Sequence, residues 1–423
     1  MKKSCLLLLL FCFQIFFGQE TLPETNPENV GLSQTQLQNI DALLAEYIEK
    51  DWVPGGVFLI ARKGKIAYHK ALGKRDFKKE YQQDDIFRLA SMTKAVTVVA
   101  TMQLWEKGMF TLDDPIENYL PEFANRQVLD TFNEKDSTYT TKPAKSSITI
   151  RHLLTHSSGI YYADFSFGKL QAVYAKAGLM NTGISHEEWT NKEFMQRLAK
   201  LPLAFNPGEK YMYGLNMDVL GYLIETLTGK TLEEYFVENI FDPLGMNDTF
   251  FYLPKNKAKK LVPVYAEIDN KMIMSPDERI QNYPNWENRI HFSGGGGLSG
   301  TALDYAKFCQ ALLNGGTLNG QRILGRKTIA LMTSEQVANV NVFTNEVDPS
   351  TVYTLGFLKV TNGIPKREVR STGTYSWGGF FNTQFFIDPK EELVFVGMTQ
   401  ISPTLRWEFW TKLDAIIYAA IDD

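Results

Sequence analysis

The chain has 423 residues, of which 44% are hydrophobic and 22% charged, with 44 basic and 48 acidic side chains. This composition is typical of a globular enzyme and excludes a disordered, collagen-like or coiled-coil protein. The net charge of −4 and the lack of a lysine- or arginine-rich run argue against a nucleic-acid partner. The length predicts two or three structural units, at about 100–200 residues per domain.

The first eighteen residues have the features of a cleaved export signal. Lys2 and Lys3 precede an apolar run over residues 6–17, and Gly18 follows it. A basic start, a short apolar stretch and a small residue at its end are typical of secretory signals, whereas a membrane-spanning helix needs about 20 apolar residues. We therefore predict that residues 1–18 form a signal peptide and that the mature protein is secreted or periplasmic, with no stable membrane insertion.

Cysteine usage agrees with export. Cys5 and Cys12 lie in the predicted signal, so that only Cys309 remains and no intrachain disulfide can form. An exported chain without disulfides depends on its hydrophobic core, which a chain of this size can supply. Cys309 lies in a partly apolar helical stretch, where we expect it to pack as a small hydrophobic side chain.

Several elements can be predicted along the N-terminal part of the chain. Residues 33–49 are predicted to form a helix, and residues 56–61 and 65–69 a β-hairpin with Gly64 in its turn. Residues 95–105 are apolar on all sides and predict a buried helix. Gly108 closes that helix.

The middle and C-terminal parts differ in pattern. Residues 113–287 are mostly helical and loop-like, and they include a polar stretch over 124–147 that we expect to be solvated. After residue 290 the pattern changes, and it predicts strands over 353–360, 383–387 and 393–398 and a final helix over 404–420.

These elements predict an α/β (α+β) fold. An antiparallel sheet flanked by helices would be built from residues 19–112 and 288–423, and residues 113–287 would form an inserted, mostly helical domain.

Metal and phosphate sites find little support. Among the five histidines, His152 and His156 are separated by one helical turn, but the intervening residues lack the glutamate of an HExxH zinc site. We interpret both as structural histidines that hydrogen-bond a turn. The glycines at 294–297 lack the Lys-Ser/Thr pair of a phosphate-binding loop, and residues 301–304 have a capping pattern that predicts a loop leading into a helix. We therefore predict no metal and no cofactor.

The serines indicate one type of nucleophile. No Gly-x-Ser-x-Gly is present, which argues against an α/β-hydrolase. Ser-x-x-Lys, which brings an amine beside a hydroxyl on one helical turn, occurs at 91–94 and at 166–169. Ser91 opens the predicted buried helix, whereas Ser166 lies in a stretch without helical periodicity. The positive end of a helix dipole favours a developing oxyanion and disfavours a protonated Lys94, so that a neutral amine could take the Ser91 proton.

Taken alone, Ser91-x-x-Lys94 also fits a helix-capping serine and an exposed lysine. The surrounding sequence favours catalysis, because five blocks in order resemble the serine hydrolases of the β-lactamase superfamily, which have the penicillin-binding-protein fold. The closest likeness is to the class C β-lactamase-like, family VIII carboxylesterases. The blocks span nearly the whole mature chain: 87–94 (FRLASMTK), 148–159 (ITIRHLLTHSSG), 207–213 (PGEKYMY), 294–302 (GGGGLSGTA) and 377–379 (WGG), the last followed by FIDP at 386–389.

The resemblance implies roles for individual residues. Ser91 matches the nucleophile, Lys94 its base, and Tyr213 the tyrosine that carries a proton to and from the leaving group. The strand Trp377-Gly378-Gly379 matches the third motif of the family, at the border of the cleft. The backbone N–H of Ser91 and an N–H near Gly379 or Phe380 would form the oxyanion hole. The substrate would be a small ester or related acyl compound.

Two positions depart from the family pattern. Leu215 occupies the usual asparagine position of the Tyr-x-Asn motif, and Asn216 follows one residue later. Trp377 replaces the lysine that is thought to bind the carboxylate of β-lactams and peptides. An indole cannot form that ion pair but can line an apolar pocket. This favours an exported carboxylesterase-like enzyme. The alternatives are a β-lactamase or D-amino-acid peptidase of the same fold, and a non-catalytic cell-envelope binding protein.

Overall fold

The computed structural model describes residues 22–163, 168–180, 184, 188–285, 288–338, 350–362 and 369–423. The predicted signal peptide and Ser166 lie outside these residues. Within the described ranges, no helix has the length and apolar character needed to cross a membrane.

The described residues form strands and helices throughout the chain. The strands are β1 Gly55–Arg62, β2 Lys65–Gly73, β3 Phe87–Arg88, β4 Gln127–Phe132, β5 Tyr139–Pro143, β6 Tyr265–Ile268, β7 Lys271–Met274, β8 Ser299–Gly300, β9 Thr317–Leu318, β10 Gln321–Arg322, β11 Val337–Ala338, β12 Thr351–Tyr353, β13 Leu358–Val360, β14 Tyr375–Gly379, β15 Thr383–Asp388 and β16 Leu393–Met398. The α-helices are α1 Gln34–Glu49, α2 Thr93–Glu106, α3 Ile150–Leu154, α4 Lys169–Lys176, α5 Asn191–Leu198, α6 Asn216–Thr228, α7 Leu232–Phe236, α8 Asp242–Leu244, α9 Glu278–Asn282, α10 Ala302–Leu313, α11 Arg326–Met332 and α12 Glu408–Ala419.

The largest sheet draws its strands from both ends of the chain. Its eight strands run in the order β11-β12-β13-β14-β15-β16-β1-β2, and all neighbouring strands are antiparallel. The hairpin predicted near the N-terminus is confirmed as β1 and β2. The predicted α/β fold class, with an antiparallel sheet flanked by helices, is therefore confirmed.

Side chains on β1 alternate between two cores, because successive residues of a strand point to opposite faces. Phe58 and Ile60 pack in the core formed with α1 and α12, whereas Val57, Leu59 and Ala61 pack in the core that contains α2 and α10. Every residue of β1 is buried. A strand covered by helices on both faces is hydrophobic throughout instead of alternating with polar residues.

Helix α2 lies in the larger core and carries Lys94 of the predicted Ser-x-x-Lys motif. All residues from Thr93 to Leu104 are buried, and the helix packs against α6. This confirms the buried helix predicted from its apolar sequence. Gly108 follows the helix with a φ of 70°, a left-handed conformation that glycine adopts without steric cost.

One detail of the prediction was wrong. Residues 353–360 form no single strand, because the chain turns between β12 and β13 at Gly356, whose φ is 88°. The middle region contains two hairpins in addition to its helices. One of them, β4–β5, occupies the segment predicted to be solvated, and all of β5 is exposed. The other hairpin, β6–β7, bridges to Ile401 near the C-terminus. The division into two domains stays a prediction.

Candidate active site

Ser91 lies at a sharp change of chain direction. Strand β3 pairs with β8, and a short 3-10 helix, Ala90–Met92, then leads directly into α2. Ala90 has a φ of 44°, a left-handed conformation that non-glycine residues rarely adopt and that is concentrated at functional sites. The hydroxyl of Ser91 is therefore presented at the N-terminal end of the helix, where backbone N–H groups lack partners within the helix.

A buried arginine fixes the strand before Ser91. The guanidinium of Arg88 donates to the backbone oxygens of Val262 (2.7 Å), Gln281 (2.6 Å) and Tyr283 (2.7 Å). The side-chain amide of Gln400 bonds both the N–H and the C=O of Arg88. Burial lowers the pKa of Arg88 to about 9. These contacts tie β3 to three separate segments and give Ser91 a rigid support.

Lys94 reaches the hydroxyl of Ser91 from the next turn. Its Nζ lies 3.1 Å from Ser91 Oγ and donates to the backbone oxygen of Gly295, and the side chain is buried. The ammonium or amine group also lies 4.8 Å from the ring centre of Tyr213. The spacing of three residues thus brings the amine beside the hydroxyl, as the Ser-x-x-Lys pattern predicts.

Tyr213 completes a chain of three polar groups. Its phenol donates to Ser91 Oγ at 2.7 Å. Because the phenol supplies the proton for that bond, the single proton of Ser91 is free to point towards Lys94 Nζ, whose lone pair accepts it when the amine is neutral. The three side chains therefore have the geometry of a nucleophile between a base and a second proton carrier.

Strand β14 passes beside the segment that carries Ser91. A Cβ atom added to Gly379 would lie 2.4 Å from the backbone oxygen of Leu89, so only glycine allows this close approach. Trp377 is buried, and its ring centre lies 5.8 Å from that of Tyr213. Gly378 lies between Trp377 and Gly379 in the strand. Phe380 follows the strand, and 43% of its surface is exposed. The structure thus brings Ser91, Lys94, Tyr213 and the 377–379 strand together at one place.

Further aromatic side chains line this place, and the sequence patterns had not pointed to them as site residues. The ring of Tyr162 stacks on Tyr213 with centres 5.8 Å apart, and its centre lies 5.9 Å from Lys94 Nζ. Tyr353 packs edge-on against Trp377 at 5.5 Å. One sequence signal could have pointed to Tyr162: it follows the family-like block at 148–159 by three residues. The wall around the three polar groups is therefore largely aromatic.

A buried carboxylate holds the glycine-rich loop beside Lys94. Asp218 Oδ1 accepts from Ser293 Oγ (2.6 Å) and from the N–H of Gly295 (3.1 Å). A Cβ on Gly295 would lie 2.4 Å from Asp218 Oδ2, which explains the glycine. Burial raises the pKa of Asp218, and the nearby charge of Lys94 partly offsets this shift. An acidic residue within an apolar helical run was the sequence signal for this site.

Asn216 is used differently from the family asparagine. Its side-chain oxygen accepts from Ser158 Oγ, and its nitrogen lies 2.8 Å from Nδ1 of His156. Both ends of the amide thus bond the turn at 156–158. Leu215, at the usual asparagine position, is fully buried.

His152, the other histidine of the predicted pair, also hydrogen-bonds a neighbouring residue. Nδ1 of His152 accepts from the N–H of Thr149 at the start of α3. Within the ranges the structure describes, no three or more His, Cys, Asp or Glu side chains lie close enough together to hold a metal ion.

Comparisons with known proteins agree on one family. A profile of the Beta-lactamase family matches residues 40–417. The lovastatin esterase of Penicillium rubens is 33% identical over 385 residues, which cover 84% of this chain and 93% of that protein. Esterase EstB of Burkholderia gladioli is 28% identical over 366 residues, covering 82% and 86%. The solved structure of EstCE1, a hydrolase with promiscuous acyltransferase activity, has a TM-score of 0.77 at 24% identity and covers 91% of this chain and 99% of its own.

The profile spans nearly all of the described chain, and the structural likeness covers both the sheet and the helical region. The sequence-based resemblance and the α/β fold are thereby confirmed. This chain belongs to the Beta-lactamase family and is an enzyme, a serine hydrolase with the β-lactamase fold.

Proposed function

We propose that this enzyme cleaves carboxylic esters through an acyl-enzyme formed on Ser91. The observation that carries the proposal is the position of Ser91 Oγ, 3.1 Å from Lys94 Nζ and 2.7 Å from the Tyr213 phenol. The names of two relatives, lovastatin esterase and esterase EstB, support an ester substrate.

Formation of the acyl-enzyme requires three proton transfers. Ser91 gives its proton to Lys94 as Oγ forms a bond with the acyl carbon. The backbone N–H groups of Ser91 and of the chain near Gly379 or Phe380 stabilise the resulting oxyanion. Tyr213 then gives its proton to the leaving oxygen as the ester bond breaks, and the proton on Lys94 restores the phenol. Water enters by the reverse transfers and releases the acid.

Trp377 favours an ester over a β-lactam. The indole forms an apolar wall with Tyr213 and Tyr353 where a lysine would bind a carboxylate. The substrate would therefore be uncharged near the reacting bond. Aromatic rings on this side of the cleft suit an apolar acyl or alcohol group.

Acyl transfer to an alcohol is a second candidate activity. Any acyl-enzyme can be attacked by an alcohol in place of water, and the structurally similar EstCE1 is described as having promiscuous acyltransferase activity. The aromatic wall formed by Tyr162, Tyr213 and Trp377 would favour an apolar alcohol over water by apolar contact.

A substrate panel tests the proposal. We expect the mature protein to hydrolyse p-nitrophenyl butyrate and to turn over nitrocefin poorly, with Ser91→Ala as the inactive control. Efficient nitrocefin turnover with no ester turnover would favour a β-lactamase instead. A fluorophosphonate probe should label Ser91, and butanol added to the assay should yield a butyl ester if acyl transfer occurs.

Export stays a proposal that rests on the sequence of residues 1–18. Its test is the cellular fraction in which the full-length protein accumulates, together with the N-terminal sequence of the purified protein. A mature N-terminus near Gln19 is the expected result, and an intact cytoplasmic chain would contradict it.

A further inference from the structure

His156 contacts both chain neighbours of Tyr213. It follows α3 with a φ of 51° and is fully buried. Its backbone oxygen accepts from the N–H of Met212 at 2.7 Å, and its Nδ1 accepts from the N–H of Gly214 at 3.3 Å. The residues before and after the proposed proton carrier are therefore held by one histidine, whose backbone conformation is one that few non-glycine residues adopt.

The hydrogen bonds around the imidazole fix its tautomer. The side-chain oxygen of Asn216 accepts from Ser158 Oγ, so the amide nitrogen faces Nδ1 of His156 and donates to it at 2.8 Å. Nδ1 thus receives two donors, the amide of Asn216 and the N–H of Gly214, and carries no proton itself. The neutral ring then has its proton on Nε2.

Nε2 of His156 forms no hydrogen bond to Ser91 or to any other residue that the structure describes. This atom is also buried. The ring packs against those of Tyr211, Tyr213 and Tyr353, with centres 5.9, 4.9 and 5.6 Å away. Burial, with a smaller contribution from the charge of Lys94, lowers the pKa of His156 well below its usual range. The imidazole therefore stays neutral and exchanges no proton with Ser91.

We propose that His156 is a positioning residue: as a fixed Nδ1 acceptor, it holds the 212–214 segment so that the Tyr213 phenol reaches Ser91. Asn216 and Ser158 support it by setting the direction of the acceptor. This inference rests on the proposed role of Tyr213 as the proton carrier. The Asn216 amide is therefore used to bond the turn at 156–158.

Two polar substitutions test whether the 212–214 segment needs a hydrogen-bond acceptor at the place of His156 Nδ1 or only a polar side chain at position 156. In His156→Asn, the side-chain oxygen can occupy the place of Nδ1, and asparagine tolerates the left-handed backbone. In His156→Gln, the longer side chain carries its oxygen to the place of Nε2. We expect the asparagine variant to keep kcat/KM within about threefold of wild type and the glutamine variant to lose about 10²-fold, the lower end of the range for a displaced general acid–base group.

The leaving group distinguishes lost positioning from general damage. If the Tyr213 phenol is misplaced, esters of ethanol should suffer more than esters of p-nitrophenol, because p-nitrophenolate leaves without help from an acid. We expect His156→Gln to slow ethyl butyrate at least tenfold more than p-nitrophenyl butyrate. His152→Gln is the matched control, since its imidazole accepts from the N–H of Thr149, at the start of α3 and away from the 212–214 segment. It should slow the two esters equally.

Several results would overturn the inference. It fails if folded His156→Asn is as impaired as His156→Gln, or if His156→Gln slows both esters equally while Tyr213→Phe slows the ethyl ester selectively. If Tyr213→Phe shows no such selectivity, the proposed role of Tyr213 fails instead. A measurement on the unmodified protein is independent of variant folding. The ¹⁵N chemical shifts of His156 should show the Nε2–H tautomer throughout pH 5–8, and a protonated Nδ1 in that range would overturn the inference.

Discussion

The phenol of Tyr213 donates to Ser91 Oγ at 2.7 Å across a separation of 122 residues in the chain. Ser91 lies in the short 3-10 helix that leads into α2, whereas Tyr213 precedes α6, and the packing of α2 against α6 brings the groups together. Since Lys94 lies in the first turn of α2, three residues after Ser91, the packing of one helix pair positions all three side chains. The predictions below separate their roles.

Ser91→Ala should abolish ester turnover while the protein stays folded. The substitution removes one hydroxyl that bonds Lys94 and Tyr213, and Lys94 keeps its bond to Gly295. Loss of such a hydrogen bond costs about 1–3 kcal/mol of unfolding free energy. Circular dichroism and urea unfolding measure the fold, and steady-state kinetics measure turnover. Activity close to that of wild type would disprove Ser91 as the nucleophile.

Lys94→Arg tests whether the lysine is a base or only a positive charge. Arginine keeps the charge but does not deprotonate near neutral pH. General base catalysis contributes about 10²–10⁴-fold, and we expect kcat/KM to fall by at least that lower value. Tyr213→Phe, measured beside it, should also be severely impaired. If Lys94→Arg kept most of its activity and Tyr213→Phe lost it, Tyr213 would be the base.

Trp377→Lys should shift specificity from esters towards β-lactams. A lysine at this place could pair with a lactam carboxylate, and a charged hydrogen bond contributes about 1.5–3 kcal/mol, or more than tenfold in rate. The measurement is the ratio of kcat/KM for nitrocefin to that for p-nitrophenyl butyrate. Trp377→Met is the control, because it removes the indole without adding charge. An equal shift in both variants would show that the effect comes from the space left by the indole and not from the added charge.

Asp218→Asn should raise stability and lower activity. The folded-state pKa of Asp218 is raised by burial. Its contribution to stability is therefore present below the unfolded pKa of about 3.9 and is lost as the pH rises through the folded value. Asparagine keeps an oxygen that accepts from Ser293 and Gly295 but carries no charge, so the melting temperature at pH 7 should rise.

The same variant removes a negative charge that interacts with Lys94. Protonated Lys94 would lose this stabilisation, and we expect kcat/KM to fall about tenfold, equivalent to 1.36 kcal/mol. Asp304→Asn is the matched control, since Asp304 is a buried carboxylate paired with Lys307 outside the catalytic group. A normal kcat/KM in Asp218→Asn would show that the loop needs only a hydrogen-bond acceptor.

Local sequence patterns were sufficient for much of this protein. The all-round apolar pattern of α2 predicted its burial, and the two strand-like runs on either side of Gly64 predicted β1 and β2. The Ser91-x-x-Lys94 pairing follows from helical geometry alone, because residues three apart on a helix are neighbours. The five ordered blocks were specific enough to indicate the family, which the whole-chain match then confirmed.

Contacts between distant segments were decided only by the tertiary structure. No local pattern shows that the Asn216 amide bonds His156 and Ser158, or that Asp218 reaches the loop at Gly295. The turn at Gly356 split a predicted strand, because apolar periodicity does not reveal a left-handed glycine within a run. Sequence periodicity reports which face of an element is buried, whereas hydrogen bonds between elements depend on how those elements pack. For that reason the sequence alone determined the Ser-x-x-Lys motif and indicated the family, and only packing decided what surrounds that motif.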